Sequence, residues 1–284
     1  MTIDIDYLQK WVGFSETKTD WVTSFPIAGL SATLDRPGLI SSEINSIPLA
    51  AHWLYFLPSF SQSEIGLDGH KKRGDFLPPV ELPRRMWAGG RLDFKLPIKL
   101  GSQIERISRI KQIRHSKGET GELVFVIVGH TISHDDVVLL EEDHNIVYRS
   151  AKKIDEKPKQ GKDVPGKADW TEIVKPDPVL LFRYSALTFN SHRIHYDRKY
   201  ATEIEGYPGL VVHGPLLATM LINFFDKKMP NSKLNIFEYK ALSPIFDTAE
   251  FTLNGMIISD GAAKFWVANS DGKLAMLANI EFSN

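Results

Sequence analysis

Ten residues, TFNSHRIHYD at 188–197, hold Asn190, His192, Arg193, His195 and Asp197. Polar side chains at that density are costly to bury unless each finds a partner. The segment is therefore either exposed or built into a hydrogen-bonded site. An imidazole, with an unperturbed pKa near ~6.5, is the side chain suited to moving a proton near neutral pH. Farther along, His213-Gly214 stands directly before the apolar run PLLATMLINFF. The first N–H groups of a helix lack intrahelical acceptors and carry the positive end of its dipole, so they can stabilise developing negative charge. Pro215 has no N–H to give, and Gly214 has no side chain to bar a close approach, which makes Gly214 the natural donor. A second chemistry is open to the same segment. His192, His195 and Asp197 in H-x-x-H-x-D spacing are metal-ligand types, but no further clustered ligands accompany them, and no metal is expected. Arg193 and Asp197 read as a loop-shaping ion pair, worth only ~0–1 kcal/mol on a surface. His195 taken alone reads as a hydrogen-bonded core histidine.

Two apolar helices are expected to position these groups. One runs through SEINSIPLAAHWLYFLP, with Ser42 as a cap and Pro48 delaying its start; the other runs from Gly214 to Lys228, with Pro215 in its first turn and Lys227 and Lys228 in its last. Both are apolar nearly all round, as a helix enclosed by a sheet would be. The strands after them correspond. RLDFKLPIKLGSQIERISRIKQI, from Arg91, resembles IFEYKALSPIFDTAEFTLNGMII, from Ile236. Turns are expected at SKGETGE and EEDHN in the first set and at SDGAA and SDGK in the second; Asp271-Gly272 is a strong hairpin signal. In the last strand Leu274, Met276, Ala278, Ile280 and Phe282 alternate toward one face. The stretch 151–170 is rich in Lys, Asp, Gly and Pro and reads as a linker between an N-terminal domain, 1–150, and a C-terminal domain, 171–284. The expected fold is α+β, a double hot-dog in which each half is an antiparallel β-sheet wrapped around a central helix.

TFNSHRIHYD together with GYPGLVVHGPLLATML resembles the MaoC-like hydratase and dehydratase family, in which an acidic residue precedes a His by five positions and a His-Gly pair opens the central helix. Asn190 and His195 hold the first spacing, and His213-Gly214 the second. With LPRRMWAGG in the first half, the variant looks most like the mesaconyl-C4-CoA and itaconyl-CoA hydratases. The resemblance implies a hydro-lyase that adds water across an unsaturated acyl-CoA, or removes it, with no organic cofactor. It favours a catalytic His195 over a structural one. Asn190 departs from the family's acidic residue, and a neutral amide is no general base. His195 is therefore expected to take the proton and Asn190 to orient the water, while His213 and Gly214 hold the thioester oxygen. Two other readings stay open: a 3-hydroxyacyl-thioester dehydratase acting on fatty acyl chains, and a catalytically silent acyl-CoA-binding subunit, for which the Asn190 exchange is the main support. A hot-dog thioesterase would instead release free CoA.

The first half has no Asn/Asp-to-His pair before its helix and is expected to be non-catalytic, shaping the substrate site or covering a sheet edge. Arg84 and Arg85 are of the type that holds a carboxylate through paired hydrogen bonds, and either could read the free carboxylate of a dicarboxylic acyl-CoA; an ordinary surface pair beside a β-turn is the alternative. HKKRGD at 70–75 is a basic loop, either solvated or touching CoA phosphates. His52 and Trp53 read as packing residues. Composition narrows the field further. A formal net charge of -1 argues against a nucleic-acid partner, and no cysteine is present for thiolate chemistry or disulfides. Dinucleotide, P-loop and serine-hydrolase motifs are absent. The N-terminus lacks a signal peptide's basic start and apolar core, and no apolar run approaches the ~20 residues that span a bilayer. A cytoplasmic protein with an acyl-CoA substrate and no membrane partner is expected; a homodimer is one expected assembly.

Overall fold

The structure, a computed structural model, describes residues 3–36, 45–118, 121–150 and 161–284. Among these residues ten antiparallel strands form one continuous sheet: β1 (Ser15–Trp21), β2 (Arg84–Phe94), β3 (Gln103–Gly118), β4 (Gly121–His134), β5 (Val137–Arg149), β6 (Trp170–Val174), β7 (Lys233–Ala241), β8 (Phe251–Ser259), β9 (Ala262–Ala268) and β10 (Leu274–Ser283). Their order, β1-β3-β4-β5-β2-β7-β10-β9-β8-β6, runs the same way inward from each edge. The two sets of five strands meet where β2 pairs with β7, from Gly89↔Lys240 to Asp93↔Ile236. The Gly-Gly pair of LPRRMWAGG makes that junction possible. Gly89 has φ 149°, and a Cβ there would lie 2.3 Å from the Tyr239 carbonyl oxygen. Arg84 and Arg85 lie on β2 rather than beside a turn.

The second-half helix, α4, spans Gly214–Lys228 as its sequence signals predict. Leu216, Leu217, Leu221, Ile222, Phe224 and Phe225 are all buried on it. At about 1.5–3 kcal/mol for each large apolar side chain, they contribute on the order of 10 kcal/mol to holding α4 in the sheet. β10 buries Leu274, Met276, Ala278, Ile280 and Phe282, the alternation read from the sequence.

The first half departs from expectation. No α-helix forms over 45–58; the segment makes one 3-10 turn, Ala51–Leu54. Pro48 cannot supply a helical N–H. Ala50 and Phe56 adopt left-handed backbone, with φ 64° and 55°, which a continuous helix excludes. Ser42, the expected cap, lies outside the described residues. The helices that the sequence did not reveal are α1 (Ile5–Gln9), α2 (Ser24–Thr33) and α3 (Pro178–Leu187). α2 follows β1 and α3 follows β6, so they occupy equivalent places, and the 3-10 turn stands where the second half has α4. EEDHN is not a turn but the middle of β5; the chain reverses at Asp135-Asp136, both left-handed, as a two-residue hairpin loop requires. Residues 119–120 of the SKGETGE turn and 151–160 of the expected linker lie outside the described residues.

Candidate active site

Three structures converge on TFNSHRIHYD. α3 supplies the first. Asp177 caps it by accepting the Leu180 N–H at 2.8 Å, and Pro178 opens it. At its C-terminus Phe189 turns left-handed, with φ 47°, and the Asn190 N–H reaches the Ser185 carbonyl at 2.8 Å. The Ser185 hydroxyl meets His213 Nε2 at 2.8 Å, so α3 anchors both Asn190 and the start of α4.

The second is the chain leading into α4. His195 Nδ1 donates to the Val211 carbonyl oxygen at 2.7 Å, while the Val211 N–H returns to the Ile194 carbonyl at 3.0 Å. That bond puts the proton on Nδ1 and leaves Nε2 as a bare acceptor, the form a general base needs. Burial holds the His195 pKa down to about 4, against the opposing pull of the Val211 bond, so the ring is neutral at pH 7. It stacks on His213 with centroids 3.7 Å apart and an 18° tilt. This sets His195 beside the residue immediately before Gly214. Gly214 itself faces Trp87, whose Cε3 would lie 3.1 Å from an added Cβ.

The third was not legible in the sequence. A loop of the first half, Gly66–His70, docks on the motif. The Arg193 N–H donates to the Asp68 carbonyl at 2.9 Å, Arg193 Nη1 to the Leu67 carbonyl at 3.1 Å, and the Ser191 hydroxyl to the Gly69 carbonyl at 2.6 Å. The fit depends on Gly69: its φ is 89°, and a Cβ would sit 1.8 Å from the Ser191 carbonyl oxygen. The loop brings the His70 ring to 4.0 Å from that of His192, which lies 5.3 Å from His195. Four imidazoles, His70, His192, His195 and His213, thus follow one another across the boundary between the halves. All are held below the ordinary histidine pKa, chiefly by burial.

A sequence pattern describing the hydroxyacyl-thioester dehydratase type 2 family matches residues 50–247. The chain is 39% identical over 271 residues to mesaconyl-C(4)-CoA hydratase of Chloroflexus aurantiacus, covering 95% of this chain and 96% of the relative. The chain belongs to the hydroxyacyl-thioester dehydratase type 2 family. The mitochondrial type 2 dehydratase of Schizosaccharomyces pombe is 28% identical over 258 residues, covering 80% of this chain and 85% of that one. The fold matches a MaoC-like dehydratase from Phytophthora capsici with a TM-score of 0.71 at 12% identity, over 99% of this chain and 100% of the other. As a type 2 dehydratase relative with a hot-dog fold, the protein is a hydro-lyase of the hydratase and dehydratase class.

Asn190 Oδ1 accepts the His192 N–H at 3.0 Å, closing an Asx turn, so its carbonyl is engaged in the loop. Arg193 meets Asp197 at 3.0 and 2.7 Å and lies over the Tyr200 ring, and Asp197 also accepts the Tyr200 N–H at 3.0 Å. Asp197 is thereby drawn away from His192 and His195; the metal-ligand types that do gather, among the described residues, are Asp68, His70 and His192. The arginine pair divides. Arg84 bonds the Tyr207 hydroxyl at 2.7 Å and lies 3.7 Å from Glu205. The charge of Arg85 helps hold down the pKa values of His70 and His192, and Arg85 pairs across the sheet with Tyr148. Among the described residues no carboxylate comes within ion-pair distance of Arg85. The basic loop after His70 is spent internally. Lys71 pairs with Asp75, Lys72 reaches the Ser63 carbonyl, and Arg73 bonds the carbonyls of Val80, Leu82 and Pro83. His52 is buried and meets Glu142 at 3.2 Å, with the Trp53 indole N–H on the same carboxylate at 3.0 Å.

Proposed function

We propose that the protein hydrates the double bond of a short unsaturated dicarboxylic acyl-CoA, with mesaconyl-C4-CoA or itaconyl-CoA as the substrate and citramalyl-CoA as the product, and that it does so in the cytoplasm. The observation that carries this reading is Arg85, a guanidinium whose charge acts on His70 and His192 and which has no carboxylate partner among the described residues. In mesaconyl-C4-CoA the free carboxylate is bonded to the same carbon that receives water. A cation holding that carboxylate must therefore stand close to the base; Arg85, whose charge acts on His70 and His192, suits that role better than Arg84, which is engaged by Tyr207 and Glu205. The 39% identity to a mesaconyl-C(4)-CoA hydratase supports the same substrate class.

The steps follow from the chemistry of the side chains. His195 Nε2 removes a proton from water as its oxygen bonds to the β-carbon. The electron pair of the double bond moves toward the thioester, whose oxygen gathers negative charge against the Gly214 N–H at the start of α4. The proton then passes from His195 to the α-carbon, which restores both the base and the thioester carbonyl. His213, stacked on His195 and tied to Ser185, holds the base in place. Trp87 Nε1, the Tyr239 hydroxyl and His213 Nδ1 are buried near Gly214 without hydrogen-bond partners among the described residues and are candidate contacts for the thioester. This use of the thioester oxygen needs a double bond conjugated with it. Mesaconyl-C4-CoA has one; in itaconyl-CoA the double bond is conjugated with the free carboxylate instead.

A panel of mesaconyl-C4-CoA, itaconyl-CoA, crotonyl-CoA and a long-chain 2-enoyl-CoA tests the reading, with hydration and free thiol followed together. Preference for mesaconyl-C4-CoA, lost in Arg85→Ala and kept in Arg84→Ala, is the expected result. Preference for the long chain would place the enzyme with the fatty acyl dehydratases. Thiol release would make it a thioesterase, and binding without turnover a silent subunit.

A further inference from the structure

Asn190 leaves the site without the carboxylate that the motif's spacing ordinarily supplies, and its own Oδ1 is occupied by the His192 N–H. The first half brings another carboxylate to the same place. Asp68 Oδ2 accepts from His70 Nδ1 at 2.9 Å, and Asp68 Oδ1 accepts the His70 backbone N–H at 3.0 Å. This fixes the His70 ring and its tautomer, with the proton on Nδ1 and a bare lone pair on Nε2. Nε2 has no partner among the described residues. The ring lies against His192, which lies against His195. The backbone bonds from Arg193 and Ser191 hold the loop in register with the motif, so His70 is placed by the fold and not by a flexible side chain alone.

We propose that Asp68 and His70 form a positioning pair, contributed by the first half, that takes over the water-orienting role of the carboxylate missing at position 190. His70 Nε2 accepts one hydrogen of the attacking water, and the other is directed at His195 Nε2. Asp68 acts through His70 by fixing its tautomer. No proton is kept by His70: the one that leaves the water goes to His195 and then to the α-carbon. The first half is therefore part of the catalytic centre and not only a cover for the second. A divalent metal on Asp68, His70 and His192 is the competing use of these residues. It is disfavoured because both carboxylate oxygens of Asp68 are already engaged by His70, and because Arg85 adds positive charge beside the two rings.

The inference rests on the hydratase reading, and wild-type turnover on the acyl-CoA panel tests that reading first. The pair is then tested by steady-state kinetics. His70→Ala is expected to lower kcat about 100-fold with KM held within about threefold, and Asp68→Asn to lower it about tenfold. His70→Gln, which keeps an acceptor oxygen, should lose less than His70→Ala. The decisive arm is rescue: adding Asn190→Asp to His70→Ala should restore at least about tenfold in kcat, because a carboxylate at 190 makes the His70 acceptor redundant. A merely structural His70 gives no such rescue. A kcat within about threefold of wild type in His70→Ala overturns the proposal, as does a loss that Asn190→Asp leaves in place. One equivalent of a divalent metal in the purified protein, absent from His70→Ala, overturns it in favour of a metal site. If the wild type turns over none of the thioesters, the nitrogen NMR spectrum of the imidazoles still decides the pair: a proton on His70 Nε2 at pH 7 removes it.

Discussion

The protonation state of His195 gives the sharpest test of the mechanism. Its pKa of about 4 leaves it about 90% in the basic form at pH 5, whereas a histidine at the ordinary ~6.5 would be only about 3% basic there. The two cases differ about 30-fold in active enzyme at that pH. Since kcat/KM reports the free enzyme, its profile for mesaconyl-C4-CoA should stay flat from pH 8 down to about 5 and fall only below that. The substrate's own carboxyl titrates near ~4 and leaves this window clear. Stability must be followed alongside, and its sign is fixed by linkage. A buried neutral histidine has a folded pKa below its unfolded one, so below ~6.5 the unfolded chain binds a proton that the folded chain refuses. For His195 this removes stability progressively from about pH 6.5 down to about 4, by about 3 kcal/mol in full. Brief pH-jump assays from a neutral stock separate this loss from the rate. His195→Ala should lose 10²–10⁴-fold in kcat, the order expected for a general base. An activity limb with a midpoint near 6.5 in the wild type, or a His195→Ala variant of near-normal rate, would refute the assignment of a buried neutral base.

Other consequences follow from named contacts. Gly69→Ala should destabilise the protein by about 2 kcal/mol or more in urea titrations and depress turnover, since its Cβ would strike the Ser191 backbone and its φ is left-handed. Arg85→Ala should raise KM for mesaconyl-C4-CoA at least about tenfold while leaving crotonyl-CoA unaffected; Arg84→Ala should do neither. Glu142→Ala should lower the thermal midpoint through a loss of about 3 kcal/mol or more, because it strips a buried carboxylate from His52 and the Trp53 indole. Asn190→Ala should cost about 1 kcal/mol by opening the Asx turn at His192 and should slow the reaction as the loop loosens.

Much of the second half could be read directly. α4 carries its own start and stop in Pro215 and the Lys227-Lys228 pair, and β10 shows its buried face by alternation, because these signals are local and recur with the period of the element. The absence of a first-half helix is not legible, because an apolar run with Pro48 satisfies the composition of a buried helix, while the left-handed turns at Ala50 and Phe56 come from residue types that do not announce them. EEDHN looked like a turn because it is polar, yet Glu142 points into the core, where its cost is met by His52 and Trp53, partners 90 and 89 residues away.

The sequence by itself determined which residue types were available near the motif: a histidine five positions after Asn190, a His-Gly pair at a helix start, and two adjacent arginines. Tertiary structure alone decided what surrounds each of them. Arg84 meets Tyr207 and Glu205, while Arg85, the next residue on β2, is close enough for its charge to act on His70 and His192. The Val211 carbonyl selects the tautomer of His195. GLDGH, a turn in the first half, delivers His70 and Asp68 to a site more than a hundred residues later in the chain. Local sequence encodes propensity and periodicity, which act over a few residues; proton transfer depends on distances between groups that only the folded chain brings together.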